Sequence, residues 1–139
     1  MSARTDHRTD EAAVLAAADS LIAAFGRHDV ETYFAAFHPD ASFVFYNHPQ
    51  RLESVAEYRA LWRQWENDSG FRVQHCHSSN RRVDVYETSA VFTHDVGTTV
   101  TNIDENSTPA QTETAERETI VFARFDGRWL AVHEHLSAR

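Results

Sequence analysis

The sequence predicts an α+β fold: three N-terminal helices packed on a strongly curved antiparallel sheet of five to six strands. Three observations carry this. Apolar residues recur at helical spacing before Gly70, and two-residue alternation runs from Phe71 to the end. Between two runs rich in Val, Ile, Phe and Trp stands Asp126-Gly127, a hairpin signal because both central turn residues need positive φ. Helices first and strands afterwards is the order expected when helices segregate to one face of an antiparallel sheet.

Residues 1–9 are polar and read as a disordered tail, leaving 10–139 as a single domain. From Asp10, residues Val14, Ala18, Leu21, Ile22 and Phe25 form one buried stripe, with Thr9 or Asp10 as cap and Gly26 as stop. Asp29 opens a short second helix, with Val30, Phe34 and Phe37 inward and Pro39 ending it. Residues 41–47 are aromatic and extended, a first strand; after a turn at 48–51, Leu52 can add a brief second one. Ser54-Val55-Ala56-Glu57 is a capping box, so a third helix starts there and presents Val55, Tyr58, Leu61, Trp62 and Trp65 on its apolar stripe.

After Gly70, Phe71, Val73, His75 and His77 alternate with Arg72, Gln74, Cys76 and Ser78. Val83 and Val85 resume the pattern beyond a polar break at 78–82, read as a bulge or bend. The strand over 90–100 places Val91, Thr93, Asp95 and Gly97 on one face and Phe92, His94 and Val96 on the other. Residues 102–111 are the most loop-like, a tip expected to be mobile. In the last strand, Leu130, Val132, Glu134 and Leu136 are expected to share one face, and Trp129, Ala131, His133 and His135 the other. Both faces are bulky, so a helix layer is expected on one and a second layer or subunit on the other.

Composition narrows the function classes. Thirteen basic against twenty-one acidic residues give a net charge of −8, which argues against nucleic acid or an anionic membrane as partner. One cysteine, Cys76, excludes an intramolecular disulfide and suits a cytoplasmic location. No apolar run approaches the ~18–20 residues of a membrane span. Nine histidines make the charge sensitive near pH 6–7.

The terminal DGRWLAVHEHLS resembles the last hairpin of the NTF2-like superfamily, the cystatin-like cone fold shared with ketosteroid isomerase. Glu118-Thr119, the Asp-Gly turn, Trp129, His133-x-His135 and Ser137 carry the likeness, which extends loosely from about residue 11 to the end. SnoaL-like members and the association domain of calcium/calmodulin-dependent protein kinase II are the nearest in look. The superfamily includes isomerases, cyclases, dehydratases, epoxide hydrolases, transport factors and assembly domains, so the resemblance implies a fold and no one activity. It also implies an apolar cone between the concave sheet face and the inner helices, with one or two polar groups inside. The kinase association domain lines its pocket with arginines, whereas the matching positions here hold Asp95, Ile120 and Leu136. A neutral to acidic pocket for an apolar or cationic small molecule is therefore expected.

Two His-x-His pairs, His75/His77 and His133/His135, have metal-ligand geometry on a strand. Neither has the following carboxylate or preceding glycine-rich turn of cupin-like sites, so no metal is expected; His133 and His135 are read with Trp129 as a subunit interface. Dinucleotide, P-loop and nucleophile-elbow motifs are missing, and no cofactor is expected. Acid–base chemistry remains. Asp95 is the expected base, with Glu134 projecting the same way, Tyr58 as hydroxyl donor, and Trp62, Ile120, Val132 and Leu136 lining the pocket. A carboxylate in an apolar pocket rises toward the working range of a general base. The expected function is a SnoaL-like binding protein or cofactor-free isomerase, cyclase or dehydratase acting on a small, largely apolar organic ligand. The alternative is a non-catalytic association module, a homodimer or ring of dimers. Polar groups converging in an apolar cavity, against a cavity filled by Phe and Trp, would separate the two.

Overall fold

The computed structural model describes residues 3–139, with side chains from Arg8 onward. The elements are α1 (Ala3–Gly26), α2 (Val30–Ala35), β1 (Phe37–Phe45), α3 (Val55–Ser69), β2 (Arg72–Tyr86), β3 (Ser89–Ile103), β4 (Pro109–Phe125) and β5 (Arg128–Ala138). One sheet runs in the order β1-β5-β4-β3-β2. Its β2–β5 part is antiparallel, but β1 lies parallel to β5, so the sheet is mixed rather than wholly antiparallel. Among the described residues no helix is long and apolar enough to cross a membrane.

Local signals explain most boundaries. Asp29 Oδ1 accepts the Thr32 amide at 3.3 Å and opens α2. Ser54 Oγ accepts the Glu57 amide at 3.1 Å, while Glu57 Oε1 reaches back to the Glu53 amide at 3.2 Å, which fixes the start of α3. Gly70 ends α3 in the left-handed region at φ 61°. In the last hairpin Asp126 and Gly127 take φ 49° and 79°, the pair of positive angles that an Asp-Gly turn requires.

Three boundaries differ from the sequence reading. The first helix begins at Ala3, before the expected caps Thr9 and Asp10, because no Gly or Pro interrupts the polar segment; Asp10 instead accepts from Arg124 at 3.1 Å. Of the expected tail, Met1 and Ser2 lie outside the described residues. Pro39 does not end α2; it sits in β1, an edge strand, inside a register shift between Phe37 and Ser42. Edges and bulges are where a strand tolerates a residue without an amide proton. The expected loop 102–111 shrinks to the turn between Ile103 and Pro109, held by Asp104 Oδ1 accepting the amides of Asn106 and Thr108.

Two bulges decide which side chains face the helices. On β5, Ala131 pairs with Phe122 and His133 with Val121, which leaves Val132 without a register partner. Trp129 and Ala131 before the bulge therefore share the helix-covered face with Glu134 and Leu136 after it. On β2, Val73 pairs with Val100 and His75 with Thr99, so Gln74 is the extra residue and His75 and His77 turn to the convex face. A further shift between Ser79 and Arg82 confirms the polar break as a bulge.

The core lies between the three helices and the concave face. Val14, Ala18 and Leu21 of α1 meet Tyr33 and Phe34 of α2, Tyr58 and Trp62 of α3, and Phe43, Phe92, Ile120, Phe122 and Ala131 of the sheet. Many of its aromatic rings meet edge to face, as in Phe34–Tyr58 at 5.0 Å and 80°, a geometry worth ~0.5–1.5 kcal/mol per pair beyond the buried area.

Candidate active site

A cavity of about 160 Å³ remains between the concave face and the helices. Leu21, Ile22, Phe25, Trp62, Trp65 and Phe71 line the helical side, and Val96, Val100 and Leu136 line part of the sheet. Into this apolar shell project Tyr33, Tyr58, His94, Glu116, Glu118 and Glu134; among the described residues no Lys or Arg lines it.

Register brings the polar groups together. His94 on β3 stands directly opposite Glu118 on β4. Glu118 pairs with Leu136 on β5, so Glu134, two residues away on the same face, is its diagonal neighbour. Ser78 on β2 pairs with Val96, one diagonal step from His94. A single row of polar side chains thus crosses four strands.

The hydrogen bonds run along that row. Tyr33 donates its hydroxyl to Glu134 Oε1 at 3.2 Å, and with that proton committed its oxygen accepts from Tyr58 at 3.0 Å. Glu118 Oε1 lies 2.7 Å from His94 Nε2, and Ser78 Oγ lies 2.6 Å from His94 Nδ1. At the cavity wall Glu116 accepts from Tyr46 at 2.6 Å and from Thr114 at 3.3 Å.

Burial sets the protonation states. It pushes Glu134 well above the usual carboxyl range, and the neighbouring Glu118 charge adds to the rise. Burial also raises Glu118, but its hydrogen bond with Glu134 opposes the rise. The pair therefore shares a proton that resides on Glu134, and the negative charge settles on Glu118. Burial, then the Arg81 charge, lowers His94 to about 4 and keeps the ring neutral. Both tyrosines rise well above 10, chiefly by burial, and stay protonated donors. Every bond then points toward one place: Tyr58 to Tyr33 to Glu134 to Glu118, with His94 donating from the other side.

The structure places some expected site residues here and moves others. Tyr58, Trp62, Glu134 and Leu136 line the cavity. Ile120 is fully buried on the same face but does not line it. Val132, expected in the pocket, is the unpaired residue of the β5 bulge and does not reach it. Asp95, the expected base, is on the convex face, bound to Arg139 at 3.1 Å and to Asn80 at 3.3 Å. The reason is packing: Phe92 on the opposite face of β3 is wholly buried, and that face goes inward. Trp129, expected at an interface, is a core residue at 8% exposure with Arg124 over its ring. His133 and His135 do face outward, and His133 bonds Ser42 at 2.8 Å.

Tyr33, His94, Glu116 and Glu118 are the site residues that the sequence reading missed. Glu118 shares its strand face with Ile120 and Phe122, and His94 shares one with Phe92, so alternation alone could have found both. No comparable signal marks Tyr33, which sits on a six-residue helix too short for a clear stripe.

Comparison with known proteins identifies the family and the fold. Residues 14–139 match a family described as the SnoaL-like domain. No curated protein matches the sequence. A ketosteroid isomerase-like protein from Erwinia carotovora atroseptica is similar in structure, with TM-score 0.75, 20% identity, and coverage of 93% of this chain and 95% of that one. An NTF2-like protein from Cytophaga hutchinsonii gives TM-score 0.74 at 15% identity, with all of both chains covered. The association domain of C. elegans calcium/calmodulin-dependent protein kinase II gives 0.66 at 18%, covering 96% of this chain and 98% of that one. At such identities the likeness establishes the fold, an NTF2-like, cystatin-like α+β cone.

Proposed function

The chain belongs to the SnoaL-like domain family, and we propose that it catalyses cofactor-free proton transfer on a small, uncharged carbonyl compound. The observation that carries this reading is the convergence of two carboxyls and two tyrosine hydroxyls inside one apolar cavity. A cavity of about 160 Å³ suits a molecule on the order of a single ring. With no cation on its walls among the described residues, an anionic ligand is disfavoured.

Glu118 takes the role first expected of Asp95. Its carboxylate removes a proton from the carbon beside the carbonyl, and the electron pair moves onto the carbonyl oxygen. Tyr58, whose proton points at Tyr33 in the resting chain, turns it to that oxygen, and Glu134 remains the neutral acid beside the base. Return of the proton to another carbon completes an isomerisation; departure of the hydroxyl from the adjacent carbon as water, carrying the proton held on Glu118, completes a dehydration and restores the carboxylate. Burial favours the first step because a desolvated carboxylate is a stronger base than one in water.

Exchange of the α-hydrogens of cyclohexanone in D2O, followed by proton NMR, tests the reading. The protein should accelerate exchange over a buffer blank, and Glu118→Gln should lower the rate by ~10²–10⁴. Tyr58→Phe should lower it less. Exchange no faster than the blank for a series of such ketones would overturn the proposal.

The second reading, an association module, is favoured by the convex face, where Val91, Val121 and His133 are half-buried rather than buried. It predicts a homodimer or ring of dimers through His133 and His135. Sedimentation at micromolar concentration should then show no monomer, and association should weaken in acid, below the ordinary imidazole range, as His133, held down chiefly by burial, takes up a proton.

A further inference from the structure

A second opening adjoins the cavity on the side of α1 and β2. There a groove lined by Asp19, Gly26, Arg27, His75 and Ser78 lies outside the cavity, and Ile22 and Cys76 line both. Cys76 is a poor proton carrier, because burial pushes its thiol up to about 12. Ser78 is different: the residue lines the groove, and its hydroxyl touches His94 at 2.6 Å.

We propose that His94 and Ser78 form a proton relay connecting the buried carboxyl pair to the groove between α1 and β2, a role that rests on the acid–base reading above. The His94 side chain is wholly buried, so a lasting charge there is costly. Its two neighbours are groups that can each either donate or accept: a carboxyl at Nε2 and a hydroxyl at Nδ1. The ring is therefore fully bonded in either neutral tautomer. With Glu118 protonated, Glu118 donates to Nε2 and Nδ1–H donates to Ser78. With Glu118 ionised, Nε2–H donates to Glu118 and Ser78 donates to Nδ1.

One concerted shift joins the two states. The Glu118 proton moves to Nε2, the Nδ1 proton moves to Ser78 Oγ, and the former hydroxyl proton of Ser78 passes to water in the groove. One proton leaves and the ring ends neutral; the reverse shift recharges the pair. The resting protonation of the pair is thus set from the groove even when a ligand fills the cavity.

The charges facing the ring come from every strand around it. Arg81 on β2 opposes protonation of His94, while Glu134 on β5 and Asp95 on β3 favour it more weakly. Glu118 and Glu116 lie on β4, and the thiol of Cys76 on β2. Among the described residues, the helices contribute the neutral hydroxyls of Tyr33 and Tyr58, and Asp19 of α1, which holds Arg81 at 2.5 Å.

Nitrogen-15 NMR of the whole chain labelled at histidine reads this without a substrate. As the carboxyl pair titrates, the His94 nitrogens should exchange protonated and unprotonated character while the ring stays neutral. Ser78→Ala should displace that exchange to lower pH by about 1 pH unit: both tautomers lose a bond, but a buried Nδ1–H without an acceptor costs more than a bare Nδ1 without a donor. Ser78→Thr should restore it. A tautomer that never changes, a ring that charges together with the pair, or an exchange unmoved by Ser78→Ala would overturn the relay. Tautomer exchange without ketone exchange would sink the proposed reaction and leave the relay standing; ketone exchange with a fixed tautomer would do the opposite.

Discussion

His28 donates from Nε2 to Glu66 Oε2 across 2.7 Å, and the direction of that bond is fixed by the rest of the ring. Its Nδ1 accepts the Val73 amide at 2.9 Å and so carries no proton. One side chain in the α1–α2 turn therefore ties α3 to the first residues of β2. The ring also packs on Trp62 at 5.1 Å, at the edge of the cavity wall. His28 itself sits at φ 57°, a conformation that a non-glycine residue adopts at some cost. His28→Ala should lower stability by ~2–3 kcal/mol in urea denaturation, because it orphans a buried amide and leaves Glu66 with Trp62 Nε1 alone as donor. His28→Phe keeps the ring packing yet should lose most of that amount. A change under half of it in both variants would contradict the tie.

Glu134 should make the fold less stable as pH rises. A carboxyl whose folded pKa lies above its ordinary value of 4.5 holds a proton that the unfolded chain releases. Stability is then full below about 4.5 and declines as pH climbs toward the raised folded value. Glu134→Gln removes this liability while keeping a group that can donate a hydrogen bond. Thermal melts should show the variant equal to the parent near pH 4, and more stable by ~1–3 kcal/mol near pH 8. A parent protein that gains stability over the parent-minus-variant difference between those pH values would mean that Glu134 is ionised in the fold.

Trp129 should behave as a core residue. Trp129→Ala is expected to cost ~3–5 kcal/mol through the cavity it leaves, with no specific effect on association at equal fraction folded. Chemical denaturation combined with sedimentation separates the two effects.

The fold was legible because its signals are local. The Ser54–Glu57 box, Gly70, the Asp126-Gly127 turn and the stripe from Val14 to Phe25 each act within a few residues, and each forms as read. The site was legible only in part. Tyr58, Trp62 and Glu134 were found because α3 has a clear stripe and because Glu134 and Leu136 lie on one side of the bulge. Alternation counts residues, and an unpaired residue such as Gln74 or Val132 breaks the count without changing the pattern of apolar letters. Trp129 was misplaced for that reason. Asp95 failed differently: β3 is regular through this region, and choosing its inner face required weighing Phe92 against Val91.

Strand β5 behaves like a message with a reading frame, and Val132 is the inserted letter. Deleting it would only close the bulge, because Phe122–Ala131 and Val121–His133 would become successive pairs and Glu134 would stay opposite Ile120. If instead Val132 were kept and drawn into a regular ladder opposite Val121, everything beyond would shift by one: Glu134 would swing outward and His133 and His135 would swing in. The acidic lining of the cone would become an imidazole lining, facing Glu118 and His94. The bulge at Val132 thus separates a pocket that pairs two carboxyls from one with imidazole donors like those of a metal-binding protein.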